Sequence, residues 1–72
     1  MAHPLMQLKR ERGLKWREIA ALVREANKTR TPSPQTVQNI AGGRRAHPRT
    51  ADKIHRAFPS IPREELIYYQ GD

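Results

Sequence analysis

Proline and glycine cut this chain into short lengths. Pro4, Gly13, Pro32, Pro34, Gly42, Gly43, Pro59 and Pro62 recur throughout it, and no apolar run reaches the roughly 18 residues that a membrane span needs. Between these breaks the apolar residues keep helical spacing, and nowhere do they alternate as a half-buried strand would. The pattern predicts an all-α fold. With 72 residues the chain is expected to form one domain, 1–72, whose small core needs compact helix packing or a partner subunit. The absence of cysteine excludes disulfides and thiolate metal sites and fits a reducing cytoplasm. The N-terminus has no apolar h-region of a secretory signal.

Five helices are expected, at about 4–12, 16–27, 34–41, 49–58 and 62–68. The first begins at Pro4, carries Leu5 and Leu8, gathers Lys9, Arg10 and Arg12 at its C-terminal end and stops at Gly13, after which Leu14 tucks back. The second is the longest. Trp16, Ile19, Ala20, Val23 and then Ala26 or Asn27 form its apolar stripe, Leu22 widens it, and Glu18 suits its first turn. A polar connector from Asn27 to Pro32 follows. The fourth helix buries Ala51, Ile54, Ala57 and Phe58, and Pro59 ends it. The fifth opens with Pro62 at its first position and Glu64 and Glu65 in its first turn, with Ile61 as a staple against Leu66.

The third helix is the most informative. Ser33 is an N-cap residue, Pro34 fits the first helical position, and Gly42-Gly43 is a stop. Val37, Ile40 and Ala41 share one side; Gln35, Thr36, Gln38 and Asn39 fall largely on the other. The outer face is thus amide and hydroxyl with no carboxylate, and Arg44 and Arg45 follow at once. Such a face suits the floor of a DNA major groove, where Gln or Asn bonds adenine at two points and arginines hold phosphates. Lys and Arg number 14 against 7 Asp and Glu, a net charge of +7, which makes a polyanion the expected partner. An anionic membrane fits less well, because the basic residues are spread over several elements instead of lining one amphipathic helix.

Three stretches carry a family resemblance. Arg12-Gly13-Leu14-Lys15-Trp16-Arg17-Glu18-Ile19-Ala20 resembles the junction of helices one and two in the Cro and CI-type repressors of phage, the XRE-like helix-turn-helix family. Ser33-Pro34-Gln35-Thr36-Val37-Gln38-Asn39-Ile40, followed by Gly43, resembles its recognition helix, and Arg44-Arg45-Ala46-His47-Pro48-Arg49 its basic loop before helix four. The likeness spans about residues 5–67. It implies a compact five-helix, lambda-repressor-like domain that binds a double-stranded DNA operator, as a homodimer on a two-fold site, in the cytoplasm of a bacterial or phage-infected cell. By position, Gln35 and Asn39 correspond to base readers, and Thr36 and Gln38 to secondary readers or phosphate contacts. Trp16 and Arg17 correspond to a phosphate anchor at a helix start, Arg44 and Arg45 to phosphate or groove-edge contacts, and Arg49 and His47 to positions near the minor groove. The chain's end soon after helix five points to a small Cro-like regulator. It departs from the family in two places. About seven extra residues, roughly 25–32, separate helices two and three, and the first recognition-helix position is Pro34, which offers only apolar contact.

Other assignments stay open on the sequence. Trp16 either reaches a phosphate through its indole N–H or caps the core. Lys28 and Arg30 either touch phosphate or keep the connector soluble. Ile67, Tyr68 and Tyr69 either cover the core or form a dimer interface. His3, His47 and His55 lack metal-ligand spacing, no cofactor is implied, and no nucleophile–base set or phosphate loop suggests an enzyme or a small-molecule substrate. The competing function is that of an antitoxin or other protein-interaction module of the same fold. A weaker one is sequence-independent binding of RNA or membrane through charge alone.

Overall fold

The computed structural model describes residues 3–69, so the Gln70–Asp72 end of the expected tail lies outside the described residues. The described chain is helical, in the order α1 (Pro4–Arg12), α2 (Trp16–Asn27), α3 (Pro34–Ala41), α4 (Pro48–Ala57) and α5 (Arg63–Ile67). Central α2 packs against both α3 and α4, α5 packs on α4, and α1 packs on α3. All five helices feed one core: Leu5 and Leu8, Ile19, Ala20 and Val23, Val37, Ile40 and Ala41, Ala51 and Ile54, and Leu66. Ala46, Phe58 and Ile61 join it from the loops.

The ends of the helices are set by local chemistry. Gly13 caps α1 in the left-handed region, φ 63°, and Leu14 N–H donates to the Lys9 carbonyl at 3.1 Å, which turns Leu14 back against the core. At the start of α2 the Glu18 carboxylate accepts from the Lys15 N–H at 2.9 Å, half of a capping box. Helices α1 and α4 share a cap that helical spacing does not reveal. Each begins with Ala-His-Pro, proline at the first helical position and histidine at the N-cap. His3 Nδ1 accepts from Leu5 N–H at 3.1 Å, and His47 Nδ1 accepts from Arg49 N–H at 3.2 Å. Pro48 is therefore the first residue of α4 and not the last of the preceding loop. Pro62, expected inside α5, is its N-cap, with ψ 138°. Its neighbours Ile61 and Leu66 are both buried, at the N′ and N4 positions of a hydrophobic staple.

Two residues of the expected α2 stripe behave differently. Leu22 is 40 % exposed and so lies off the core face. Ala26 is exposed, and Asn27 takes the inward position. The Asn27 Nδ2 group donates to the Val23 carbonyl at 2.8 Å and to the Lys53 carbonyl at 2.9 Å, joining the end of α2 to α4. The connector after it is joined to the same helix, where Lys53 Nζ donates to Thr31 Oγ1 at 2.6 Å, and is closed within itself, where Thr29 Oγ1 donates to the Thr31 carbonyl at 2.9 Å. Pro32, after a cis peptide bond, is buried. Of the extra residues, 25–27 thus extend α2 and the connector after them meets α4 at Thr31, while the outer face of α3 stays exposed. Lys28 caps α2 at φ 53°, a left-handed conformation that a side chain disfavours. Lys28→Gly is expected to raise stability by about 0.5–1 kcal/mol, after allowance for glycine's greater chain entropy. A urea titration would show it, and an unchanged or lower midpoint would contradict the reading.

His3 is 3 % exposed, and its ring meets that of Tyr69 edge-on, centroids 4.5 Å apart, tying the first described residue to the last. Because Nδ1 accepts a hydrogen bond, the ring proton sits on Nε2, which is buried without a hydrogen-bond partner among the described residues. Burial disfavours the imidazolium and holds the His3 pKa below its ordinary 6.5. The unfolded chain then binds more protons in the window below 6.5, so this group's contribution to stability is complete above that pH and falls on acidification. Thermal melts from about pH 8 to about pH 5 should show the decline, and His3→Asn, which keeps an N-cap acceptor, should flatten it. An equal slope in the variant would show that His3 is not the titrating group.

Candidate nucleic-acid interface

Helix α3 is short, and its N-terminus is closely held. Ser33 is extended, φ −79° and ψ 161°, so its Oγ accepts from Thr36 N–H at 3.2 Å, while Pro34 fills the first helical position without needing a partner for an N–H. The hydroxyl of Thr36 lies 3.0 Å from Ser33 Oγ, which draws Thr36 into the cap even though its side chain is exposed.

Val37, Ile40 and Ala41 are buried, which turns the opposite face outward. Gln35 and Gln38 are exposed and Asn39 is partly so. Gln35 Nε2 donates to Asn39 Oδ1 at 2.9 Å. An i, i+4 amide pair of this kind steadies an isolated helix by about 0.2–0.5 kcal/mol. Gln38 has no hydrogen bond from its side chain among the described residues. The four amide and hydroxyl residues expected on one face are on it.

The helix ends on backbone bonds that fix where the arginines emerge. Gly42 N–H donates to the Gln38 and Asn39 carbonyls, Gly43 N–H to the Ile40 carbonyl at 3.0 Å, and Arg44 N–H to the Asn39 carbonyl at 3.1 Å. This closing turn puts Gly43 at φ 112°, where only glycine sits without strain. Three residues after Gly43, Ala46, buried at 4 %, donates its N–H to the Leu66 carbonyl at 3.0 Å. Arg44 and Arg45 are exposed between these two anchors. A loop tied at both ends presents its cations in a set place.

The remaining sequence-predicted positions divide. Arg17 and Arg49 are exposed, each at the second position of its helix. Trp16 is half-buried against the core with the Lys9 ammonium 5.3 Å from its ring centre, so packing occupies much of its surface. His47 is exposed, but its Nδ1 serves α4 as cap. The N–H groups of Trp16 and Arg17 open α2 and have no carbonyl within the helix to bond. The exposed Glu18 carboxylate is close by, folded onto Lys15, and offsets part of the positive end of that helix.

All three histidines are used by the fold, since His55 Nδ1 bonds the Ile61 carbonyl at 2.7 Å. Among the described residues no three His, Asp or Glu side chains group as metal ligands, and no helix is long and apolar enough to cross a membrane. Two carboxylates lie in the first turn of α5, and a third, Asp52 on α4, pairs with Arg63. Tyr69 packs on His3 and Ile67 on the core, whereas Tyr68 is 66 % exposed. One ring of the late aromatic cluster therefore faces inward and the other outward. Compared with protein-family models, with curated proteins and with solved structures, the chain gives no match.

Proposed function

We propose that this chain is a sequence-specific, double-stranded DNA-binding regulator of the lambda-repressor-like helix-turn-helix kind, with α3 as the element that enters the major groove. The observation that carries this reading is the outer face of α3. It is an amide face without a carboxylate, with Gln35 and Gln38 exposed and Asn39 partly so, and it ends directly in two exposed arginines whose backbone is pinned on both sides. The net charge of +7 supplies the sequence-independent attraction. Arg17 and the open start of α2, with Arg44, Arg45 and Arg49, hold phosphates, while Gln35, Gln38 and Asn39 face base edges. The exposed Tyr68 offers a contact for a second copy on a two-fold operator. The regulator acts by occupying that operator, in the cytoplasm.

Selection of bound duplexes from a random-sequence pool tests the proposal. A consensus should emerge, two-fold symmetric if the protein docks as a dimer. Gln35→Ala should then lose about 1–3 kcal/mol of discrimination at one base pair of each half-site. Enrichment of no sequence over bulk DNA, at a stated salt concentration, would leave only charge-driven binding and sink the proposal.

A further inference from the structure

The connector between α2 and α3 carries two cations, Lys28 and Arg30, on a stretch that the helix-turn-helix pattern does not contain. Between Glu25 and Asp52 the chain has no Asp or Glu, and its cations there are Lys28, Arg30, Arg44, Arg45 and Arg49. Lys28 and Arg30 are exposed, and neither side chain has a hydrogen bond or an ion pair among the described residues.

Solubility alone asks for no fixed shape, and this segment has one. Lys28 N–H donates to the Glu25 carbonyl at 3.3 Å and Thr29 N–H to the Arg24 carbonyl at 3.0 Å, the paired bonds of a Schellman close. Arg30 then lies between two threonines that are bonded to each other, and the second of them, Thr31, is held by Lys53 of α4. Lys28 is left-handed at φ 53°, where glycine would sit without strain. Backbone strain of this kind concentrates at functional sites.

The connector leads directly into the Ser33 cap, so its cations precede α3 as Arg44 and Arg45 follow it. Eight residues at about 1.5 Å each make α3 about 12 Å long, and the major groove is about 12 Å wide. Cations beyond both ends of such a helix can meet the phosphates that border the groove on either side. Given α3 in the major groove, the DNA-binding reading on which this rests, we propose that Lys28 and Arg30 bind phosphates beside the N-terminal end of α3, on the strand opposite to that held by Arg44 and Arg45. The recognition helix is then held from both ends, and Lys28 trades folding stability for affinity.

The test uses the duplex selected from the random pool. Anisotropy titrations at several salt concentrations compare wild type with Lys28→Gly, Lys28→Arg, Arg30→Gln and the Lys28→Gly/Arg30→Gln double variant, alongside a urea titration of each. Each neutral single substitution should flatten the slope of log K against log salt by about 1, and the double variant by about 2, with the preferred base pairs unchanged. Lys28→Gly should raise the urea midpoint while it lowers affinity, opposite shifts that a purely structural lysine does not give. Lys28→Arg keeps the charge and should keep the wild-type slope. Single methylphosphonate substitutions, each of which makes one phosphate neutral, locate the contacts. The phosphates whose neutralisation no longer weakens the double variant should differ from those lost to Arg44→Ala with Arg45→Ala, and should lie on the other strand. An unchanged salt slope in the double variant, or the same phosphates mapped by both pairs, would overturn the inference. The DNA-binding reading would still stand if Gln35→Ala lost its base pair in the same assay. A wild type with no sequence preference at all would overturn both.

Discussion

Truncation of Ile54 to alanine should cost about 2–5 kcal/mol of folding stability. Ile54 has no exposed surface, and α4 is the helix on which both α2 and α5 pack. Its removal opens a cavity where three helices meet. A chain of this length has a total stability on the order of 4–11 kcal/mol, so the variant should be partly unfolded at room temperature or close to it. Urea denaturation followed by the fluorescence of Trp16, the one tryptophan, would measure the loss. Leu22→Ala is the matched control, because that side chain is 40 % exposed and leaves little void when shortened. A larger loss from Leu22 than from Ile54 would mean that the core has been placed wrongly.

The second large effect concerns charge. Arg44→Ala with Arg45→Ala should weaken binding to every duplex alike and flatten its salt dependence. Each phosphate contact contributes a slope of about 0.9 in log K against log salt, which amounts to roughly eightfold per contact between 1 M and 0.1 M salt. The fall in affinity from 0.1 M to 1 M salt should therefore be roughly sixtyfold smaller for the double variant than for wild type, with no change in which base pairs are preferred. Fluorescence anisotropy at several salt concentrations reads both quantities. A change in base preference with an unaltered slope would show that the arginines contact bases and would reverse the roles given to the loop and to α3.

Helices α1, α2 and α3 have the bounds that their sequence predicts, Pro4–Arg12, Trp16–Asn27 and Pro34–Ala41. The signals there are strong and local: proline at a first position, Ser33 as cap, Gly13 and Gly42-Gly43 as stops. The later helices differ by a residue at each end, for two reasons. Histidine is an uncommon cap, so Pro48 passes for loop until His47 Nδ1 is seen to hold the Arg49 N–H. The repeat of Ala-His-Pro at Pro4 and Pro48 was the available signal. At Pro62, the fixed φ of proline suits an N-cap and a first helical position equally, and only ψ, set by the burial of Ile61, separates them.

The candidate site was legible for the same local reasons. A two-turn helix with three aliphatic residues on one side has its amides on the other, whichever helices it packs against. The fate of the individual side chains was less so. Thr36 is drawn into the cap by Ser33, Trp16 is largely engaged by Lys9 and the core, and Gln35 and Asn39 hold each other. Each of these depends on rotamers that spacing alone leaves open.

The five helices, the stops of the first three, the apolar faces and the cationic amide surface are legible in the chain, because each is decided within a turn or two of it. Packing settles that Asn27 and not Ala26 turns inward, to bond a carbonyl of α4; that the connector meets α4 at Thr31; that the arginine loop is pinned to α5 through Ala46 and Leu66; and that His3 is sealed beneath Tyr69. Those contacts join residues some 20 to 66 positions apart, and no period or capping rule reaches that far.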